Sequence, residues 1–242
     1  MHAASNSVDT LTPAAVLTPA EILGPLNDVE AKNAPAALYA TGDLSLLRRG
    51  PRVAVVGSRG ASEEGLRRAR LLAAALVKHE MVVVSGLAAG IDAAAHTAAI
   101  DAGGRTIAVL GTSLTESYPR ENAPLQARIM REHLALSQFL AGSPTTRKNF
   151  PLRNRTMALL TDATVIVEAS ENSGTLHQGW EALRLGRLLF LMESVATNET
   201  LTWPREMIQY GAQVLSRKNL EDSLAEIPAM TVRSDESFAD LL

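Results

Sequence analysis

Residues 53–92 repeat one pattern twice: a short apolar run is followed by a glycine-rich turn and then by a helical segment. The first copy is VAVV at 53–56 with GSRG at 57–60, and the second is MVVV at 81–84 with SGLAAG at 85–90. Short β-branched runs without polar alternation are typical of strands that are buried on both faces of a parallel sheet. The pattern therefore predicts two parallel strands whose glycine turns meet at one edge of the sheet, where backbone N–H groups can bind a phosphate-bearing ligand.

The rest of the chain continues this alternation of strands and helices. Segments of helical periodicity separate four further apolar runs, which lie at 106–110, 134–139, 163–168 and 187–192. Such an alternation predicts an α/β fold with a doubly wound, mostly parallel sheet and helices on both faces.

The sequence also suggests how the chain is divided. We expect one domain of this kind at residues 51–227. Residues 1–50 are expected to form an N-terminal leader with a short helical and extended appendage, because TPAE at 18–21 has the form of a helix capping box. Residues 228–242 are expected to form an acidic, flexible tail.

Composition excludes several classes of protein. The formal net charge is −3, so a nucleic-acid site would need a local basic patch rather than overall charge. The chain has no cysteine, which excludes disulfides and thiolate metal sites. No apolar run approaches the length of a membrane span, and the first residues lack the pattern of a signal peptide. We therefore expect a cytoplasmic protein with no metal, no other cofactor and no membrane contact.

The segment 147–155 combines positive charge with an aromatic ring. It contains no acidic residue, and its members are Arg147, Lys148, Phe150, Arg153 and Arg155. Cations neutralise phosphates and an exposed ring stacks on bases, which is the combination found in proteins that bind single strands. The alternative is that Phe150 packs into the core while the arginines are only solvated. Pro151 predicts that Phe150 is extended and close to a helix start.

Three glycine turns offer candidate phosphate contacts. Arg59 lies on the first turn, where its guanidinium can bind a phosphate or, alternatively, pair with Glu63. On the second turn, Ser85, Gly86 and Gly90 are expected to offer a hydroxyl and backbone amides. A third turn, SGT at 173–175, opens a helix after a strand and is again a candidate anion site.

Two sets of residues raise the possibility of catalysis. Asp92 and His96 lie at i and i+4 on one helix face, so they are either an acid–base pair or residues that orient the loop. Ser173, His177 and Glu168 resemble a nucleophilic triad by residue type, but no G-x-S-x-G elbow surrounds the serine. We predict structural roles for Asp92, His96 and Glu168, and no catalytic residue.

Six motifs in order resemble the DNA-processing protein A family, which is also called DprA or Smf. They are GSR at 57–59, SGLAAGIDAAAH at 85–96, GTSLTESYPREN at 111–122, NFPLRNR at 149–155, VEA at 167–169 and SGT at 173–175. The resemblance covers roughly residues 35–227. Many members also carry a C-terminal winged helix, and the roughly 15 residues after position 227 are too few for one.

The resemblance implies an extended Rossmann-like fold and a non-enzymatic protein that binds single-stranded DNA in DNA uptake, recombination or protection. It also implies a homodimer and a RecA-type recombinase as a partner. The apolar segments 185–192 and 203–210 are candidate dimer surface, and the alternative is that they simply pack on the sheet. The predicted DNA- and phosphate-binding residues are Gly57, Ser58, Arg59, Ser85, Gly86, Gly90, Arg147, Lys148, Asn149, Phe150, Arg153, Asn154, Arg155, Ser173, Gly174 and Thr175.

A second class of function uses the same glycine turns: a nucleotide-ligand sensor or a nucleoside-phosphate-processing enzyme. Related hydrolases carry a GGxGTxxE pattern, with a glutamate soon after the threonine. Here the nearest glutamate after Thr175 is Glu181, which is one helical turn late. This spacing argues against hydrolysis and leaves ligand sensing open.

Overall fold

The computed structural model describes residues 15–229 and contains one nine-stranded sheet. Across the sheet the strand order is β1-β2-β6-β5-β4-β3-β7-β8-β9. In chain order the strands are β1 (Ala15–Leu17), β2 (Leu38–Gly42), β3 (Arg52–Gly57), β4 (Val82–Ser85), β5 (Thr106–Leu110), β6 (Leu134–Ser137), β7 (Ala163–Glu168), β8 (Leu188–Met192) and β9 (Gln213–Leu215). The α/β, doubly wound and mostly parallel sheet predicted from the sequence is confirmed.

Ten α-helices accompany these strands within the described part of the chain. They are α1 (Pro19–Leu23), α2 (Asp28–Ala31), α3 (Glu63–Lys78), α4 (Ile91–Asp101), α5 (Ala123–Glu132), α6 (Asn149–Leu160), α7 (Thr175–Arg184), α8 (Glu193–Ala196), α9 (Trp203–Gln209) and α10 (Leu220–Ala225). None of the helices in residues 15–229 is long and apolar enough to cross a bilayer.

Strand β3 is the centre of the parallel sheet, and it is buried on both faces. Ala54 and Val56 belong to a hydrophobic cluster that includes Met157 of α6. Val53 and Val55 belong to a second cluster, with Leu72, Leu76 and other residues of α3 and α4. Helices therefore cover both faces, as the continuous apolar run of this strand predicts.

The direction in which the chain winds reverses at β3. From β3 the chain runs through β4 and β5 to β6 on one side, and then returns to add β7, β8 and β9 on the other. Strand β3 pairs in parallel with both β4 and β7. At such a reversal the loops that leave two neighbouring strands diverge, and a crevice opens beyond their carboxyl ends.

The segment before residue 51 extends the same sheet. Strand β2 pairs antiparallel with β6, and β1 pairs antiparallel with β2. A nearly buried ion pair of 2.8 Å between Glu30 of α2 and Arg187 also fixes this segment to the residue before β8. The proposed boundary at residue 51 thus separates two parts that share one sheet. The predicted leader before residue 15 and the tail from residue 230 lie outside the described residues.

Candidate nucleic-acid interface

A cleft of about 380 Å³ opens beyond the carboxyl ends of β3 and β7, at the reversal point. The turn after β3, the turn after β7 and the first turns of α6 and α7 form its walls. Among the predicted site residues, those that line it are Gly57, Ser58, Arg59, Phe150, Arg153, Asn154, Ser173, Gly174 and Thr175. The fold therefore brings more than half of the predicted site together in one place.

Arg59 is exposed on the turn after β3, and its guanidinium lies over the ring of Phe150, 5.0 Å from the centroid. It forms no ion pair with Glu63 or with any other acid of the described chain. The backbone N–H groups of Arg59 and Gly60 likewise donate to no protein acceptor within residues 15–229. This turn therefore presents one cation and two unsatisfied donors to the cleft.

Phe150 is half-buried and lies in the first turn of α6, which begins at Asn149. The prediction that it is extended is therefore wrong: Pro151 occupies the third position of the helix, where its missing N–H costs no helical hydrogen bond. The ring packs against Gly111, where an added Cβ would lie 2.7 Å from Cδ1 of Phe150. The ring of Tyr118 also lies next to it, with the centroids 5.2 Å apart and the ring planes inclined by 46°.

Tyr118 was not among the predicted site residues, although 48% of its side chain is exposed beside Phe150. Residues 111–122 form one of the six family motifs, and the motif itself does not indicate a stacking role for the tyrosine. The one local signal was an aromatic residue in a polar loop that follows a buried strand, and such a loop lies at the same edge of the sheet as the glycine turns.

Arg153 is placed differently from its predicted role as a phosphate ligand, because it is only 5% exposed. Its Nη1 donates to the carbonyl oxygen of Gly86 and, at 2.9 Å, to that of Val109. Its Nε donates to Oδ1 of Asn154 at 2.9 Å. The guanidinium is thus used to tie α6 to the ends of β4 and β5, and we correct its role to a structural one.

The second glycine turn, residues 85–90, is fixed by contacts within the protein rather than being an open anion site. The hydroxyl of Ser85 is fully buried and donates to the carbonyl of Val55 at 2.6 Å. A Cβ at Gly86 would overlap Nη1 of Arg153. Gly90, at φ +77°, packs on the carbonyl groups of the first turn, and an added Cβ would lie 2.6 Å from the carbonyl oxygen of Arg59. The hydroxyl of Ser85 and the N–H of Gly86 are thus used within the protein, which corrects their predicted phosphate contacts, and a phosphate contact at the N–H of Gly90 stays a prediction.

Asp92 holds the second turn in shape. Its carboxylate accepts hydrogen bonds from the backbone N–H groups of Gly86 at 3.1 Å and Ala88 at 3.3 Å. Burial raises the pKa of Asp92, and the nearby Arg153 opposes that shift.

His96 is fully buried, and its Nδ1 lies 2.6 Å from the hydroxyl of Thr106. Burial lowers the pKa of His96 to about 3, so the imidazole is neutral near pH 7. It does not line the cleft. The arrangement therefore does not place an acid–base pair of Asp92 and His96 against a ligand.

Glu168, at the end of β7, is engaged by the first turn of α3. It accepts hydrogen bonds from the backbone N–H of Ser62 at 2.9 Å and from the hydroxyl of the same residue. The hydroxyl of Ser173 accepts from the N–H of Thr175 at 3.2 Å. No nucleophile, base and orienting acid therefore come together in the manner of a triad.

The turn after β7 is fixed to the other walls of the cleft. The hydroxyl of Thr175 donates to the carbonyl of Gly57 at 3.2 Å, and Nδ2 of Asn154 donates to the carbonyl of Gly174 at the same distance. Because the N–H of Thr175 is already bonded to Ser173, the start of α7 has fewer free donors than the sequence analysis assumed.

Unpaired positive charge lies beside the cleft residues in the sequence, in three exposed cations that we call the basic rim: Arg147, Lys148 and Arg155. None of the three is among the residues that line the cleft, and none forms an ion pair with an acid in the part of the chain that the structure describes. Asn149, in contrast, is buried and accepts a hydrogen bond from the hydroxyl of Thr146 at 2.8 Å, which corrects its predicted role in binding. Residues 15–229 contain no cluster of three or more His, Asp or Glu side chains that could hold a metal.

Similarity to known proteins shows the family of this chain. The sequence model of the DNA recombination-mediator protein A family matches residues 17–228. The chain belongs to this family. The resemblance seen in the six motifs is thereby confirmed, and the match begins at Leu17, the last residue of β1, and includes all of β2.

Its relatives in the family share the fold as well as the sequence. DNA processing protein DprA from Bacillus subtilis is 34% identical over 204 residues, which cover 84% of this chain and 68% of the relative. The crystal structure of DprA from Streptococcus pneumoniae is similar with a TM-score of 0.76 and 35% identity, over 90% of this chain and 76% of the other. A structure of DprA from Helicobacter pylori, described for its mode of binding single-stranded DNA, gives a TM-score of 0.73 at 25% identity, over 88% and 94% of the two chains.

Proposed function

We propose that this family member binds single-stranded DNA in the cleft at the reversal point and acts in DNA processing and recombination by holding the strand, without catalysing a reaction. The observation that carries the proposal is the unpaired Arg59, which lines the cleft and lies over the ring of Phe150. The three exposed cations of the basic rim precede or follow cleft residues in the chain. A chain with a net charge of −3 has to concentrate its positive charge in this way to attract a polyanion. The relative from Helicobacter pylori supports it, since its structure is described by its binding of single-stranded DNA.

The arrangement suits a strand more than a duplex. One phosphate would bind to the guanidinium of Arg59 and to the backbone N–H groups of Arg59 and Gly60, as phosphates do on other glycine turns. Flanking phosphates would follow the rim cations. Bases would have to reach the aromatic rings beside the cleft, and only unpaired bases can do so.

The acids near the cleft support a binding role over a catalytic one. The carboxylate of Asp92 accepts two backbone hydrogen bonds, and that of Glu168 accepts two from Ser62. Glu181, the residue nearest to the hydrolase pattern, is paired with Arg184 at 2.6 Å on α7 and does not line the cleft. A general acid or base needs a free group within hydrogen-bonding reach of a substrate.

Replacing Arg59 tests this function. We expect Arg59→Ala to weaken the binding of a single-stranded oligonucleotide and to lower the slope of log K against log salt concentration by about 0.7, the share of one phosphate contact. The measurement is fluorescence anisotropy across a salt series. Arg70→Ala is the control, since Arg70 is exposed on α3 and does not line the cleft. Equal slopes for Arg59→Ala and wild type would place the site elsewhere.

A comparison of ligands separates the two classes of function. Gel shifts with a single strand, the matching duplex and a mononucleotide should rank the single strand first. If the wild type holds a mononucleotide tightly and ignores single strands, the nucleotide-sensor function takes the place of this proposal.

We also propose that the chain forms a homodimer through the outer face of α9. Ile208 and Tyr210 are 38% and 68% exposed there, and Tyr210 meets Trp180 edge-on with ring centroids 5.5 Å apart. The predicted contribution of residues 185–192 is corrected, because β8 lies inside the sheet with Leu189, Phe190 and Leu191 buried. Light scattering at micromolar concentration should give twice the mass of 25.8 kDa, and a monomer alone would contradict the proposal. A RecA-type recombinase as a partner stays a prediction.

A further inference from the structure

We infer that Tyr118 provides the base-stacking surface of the cleft, and that Phe150 serves to position Tyr118 and Arg59. The inference rests on the proposed function and makes it more specific. It assigns the phosphate to Arg59 and the neighbouring base to a residue on a different loop, so the cleft would take a strand of unpaired nucleotides with at least one base turned outward.

The first argument is that the half-buried ring of Phe150 already contacts three other groups of the protein. Its edge packs on the backbone of Gly111, the guanidinium of Arg59 covers it at 5.0 Å, and Tyr118 lies 5.2 Å away at an interplanar angle of 46°. A base needs an open aromatic face. Phe150 can offer one only if Arg59 or Tyr118 moves away.

The second argument is the exposure of Tyr118. Large aromatic side chains bury most of their surface in a folded domain, yet 48% of Tyr118 is exposed at the border of the cleft. One side of its ring is supported by Phe150. A ring that is held by a second ring and remains about half exposed can offer a base a stacking surface.

The third argument is that the loop before Tyr118 is held in shape without a ligand. The hydroxyl of Thr112 donates to the carbonyl of Glu116 at 2.8 Å. The buried Nε2 of Gln126 donates to the carbonyls of Glu116 and Leu114, both at 3.2 Å. Because the loop is already ordered, a base that stacks on Tyr118 does not have to order it, and less binding free energy is lost.

The fourth argument is the link between this loop and the basic rim. The hydroxyl of Thr145 donates to the carboxylate of Glu116 at 2.7 Å, which joins the two loops. Arg147 and Lys148 follow Thr145 closely in the chain. An aromatic face next to unpaired cations is the arrangement by which single strands are bound with little sequence preference.

The experiment is a double-mutant cycle that combines a substitution in the protein with the removal of one base from the DNA. Wild type, Tyr118→Ala and Tyr118→Phe are titrated by anisotropy against a single-stranded oligonucleotide, either intact or with one abasic nucleotide moved along it. We expect Tyr118→Ala to bind about tenfold more weakly and Tyr118→Phe to bind as wild type does. The wild type should bind an oligonucleotide with an abasic nucleotide at the stacking position more weakly by a similar factor. Tyr118→Ala should bind the intact and the abasic oligonucleotide with nearly the same affinity. Leu71→Ala, which removes an exposed apolar side chain of α3 outside the cleft, is the control.

Each other outcome overturns the inference. If Tyr118→Ala binds as wild type while Arg59→Ala binds more weakly, the proposed function stands and the role of Tyr118 is wrong. If Tyr118→Ala binds weakly but remains as sensitive to abasic oligonucleotides as the wild type, Tyr118 only supports Phe150. If the wild type binds no single strand, the inference and the proposed function are both wrong.

Discussion

Arg153→Ala is expected to lower the free energy of unfolding by about 3–5 kcal/mol, the usual cost of removing one partner from a buried charged network. The guanidinium is 5% exposed and bonds to the carbonyls of Gly86 and Val109. Its loss removes the hydrogen bonds to both carbonyls. It also removes the positive charge that opposes the desolvation of the buried Asp92.

Urea denaturation followed by circular dichroism measures this effect. Arg155→Ala is the matched control, because Arg155 lies on the same helix two positions later and is exposed. An exposed residue of this kind should change stability by about 0.5 kcal/mol or less. Similar unfolding midpoints for the two variants would show that the network around Arg153 is not what fixes α6 to the sheet.

Gly90→Ala is expected to cost about 2–6 kcal/mol and to weaken the binding of single-stranded DNA as well. Alanine is strained at φ +77° and ψ −124°, at a cost of about 1–3 kcal/mol, and its Cβ would overlap the carbonyls of Ser58 and Arg59. Overpacking of a close backbone contact adds about 1–3 kcal/mol. The turn that carries Arg59 has to move to relieve it.

Gly103→Ala separates strain from overlap in this experiment. Gly103 has φ +74°, but no atom lies within 4 Å of the Cβ that alanine would add. Its replacement should therefore cost only the backbone strain and leave DNA binding unchanged. If both alanine variants lose equal stability and both bind DNA normally, contact between the two glycine turns does not position Arg59.

Most of the fold could be predicted because the central strands are buried on both faces. A strand such as β3 or β7 is a continuous apolar run with glycine or polar residues after it, and that local pattern is enough to identify it. The short strands β1 and β9 have three residues each. Their position in the sheet depends on pairing with distant strands, and nothing in three residues reveals it.

The start of α6 shows why part of the site was not predicted. Pro151 predicts a helix start nearby but not at which residue, so the sequence does not show which cations of 147–155 face the sheet. In the structure the helix begins at Asn149, and positions 149, 153, 156, 157 and 160 fall on one buried stripe, with Ala158 and Leu159 also buried and Arg155 outside it. The same residue type is therefore buried at 153 and exposed at 155.

The glycines of the second turn illustrate a different limit. A glycine shows that something approaches the backbone closely, but not whether that is a phosphate or another part of the chain. At Gly86 it is the guanidinium of Arg153, and at Gly90 it is the first turn. Both neighbours are brought there by tertiary packing, so no local pattern could distinguish them from a ligand.

The reversal at β3 has a consequence for how the cleft comes into existence as the protein folds. One wall follows β3 and the other follows β7, and these strands pair directly, with Val53 opposite Ala163. Strands β4, β5 and β6 all leave the ribosome between them. The first glycine turn therefore has no opposite wall until β7 has been synthesised and has closed a long chain loop, a slow non-local step. A nascent or truncated chain that ends before β7 lacks half of the cleft, so the ability to bind a strand is acquired late in folding.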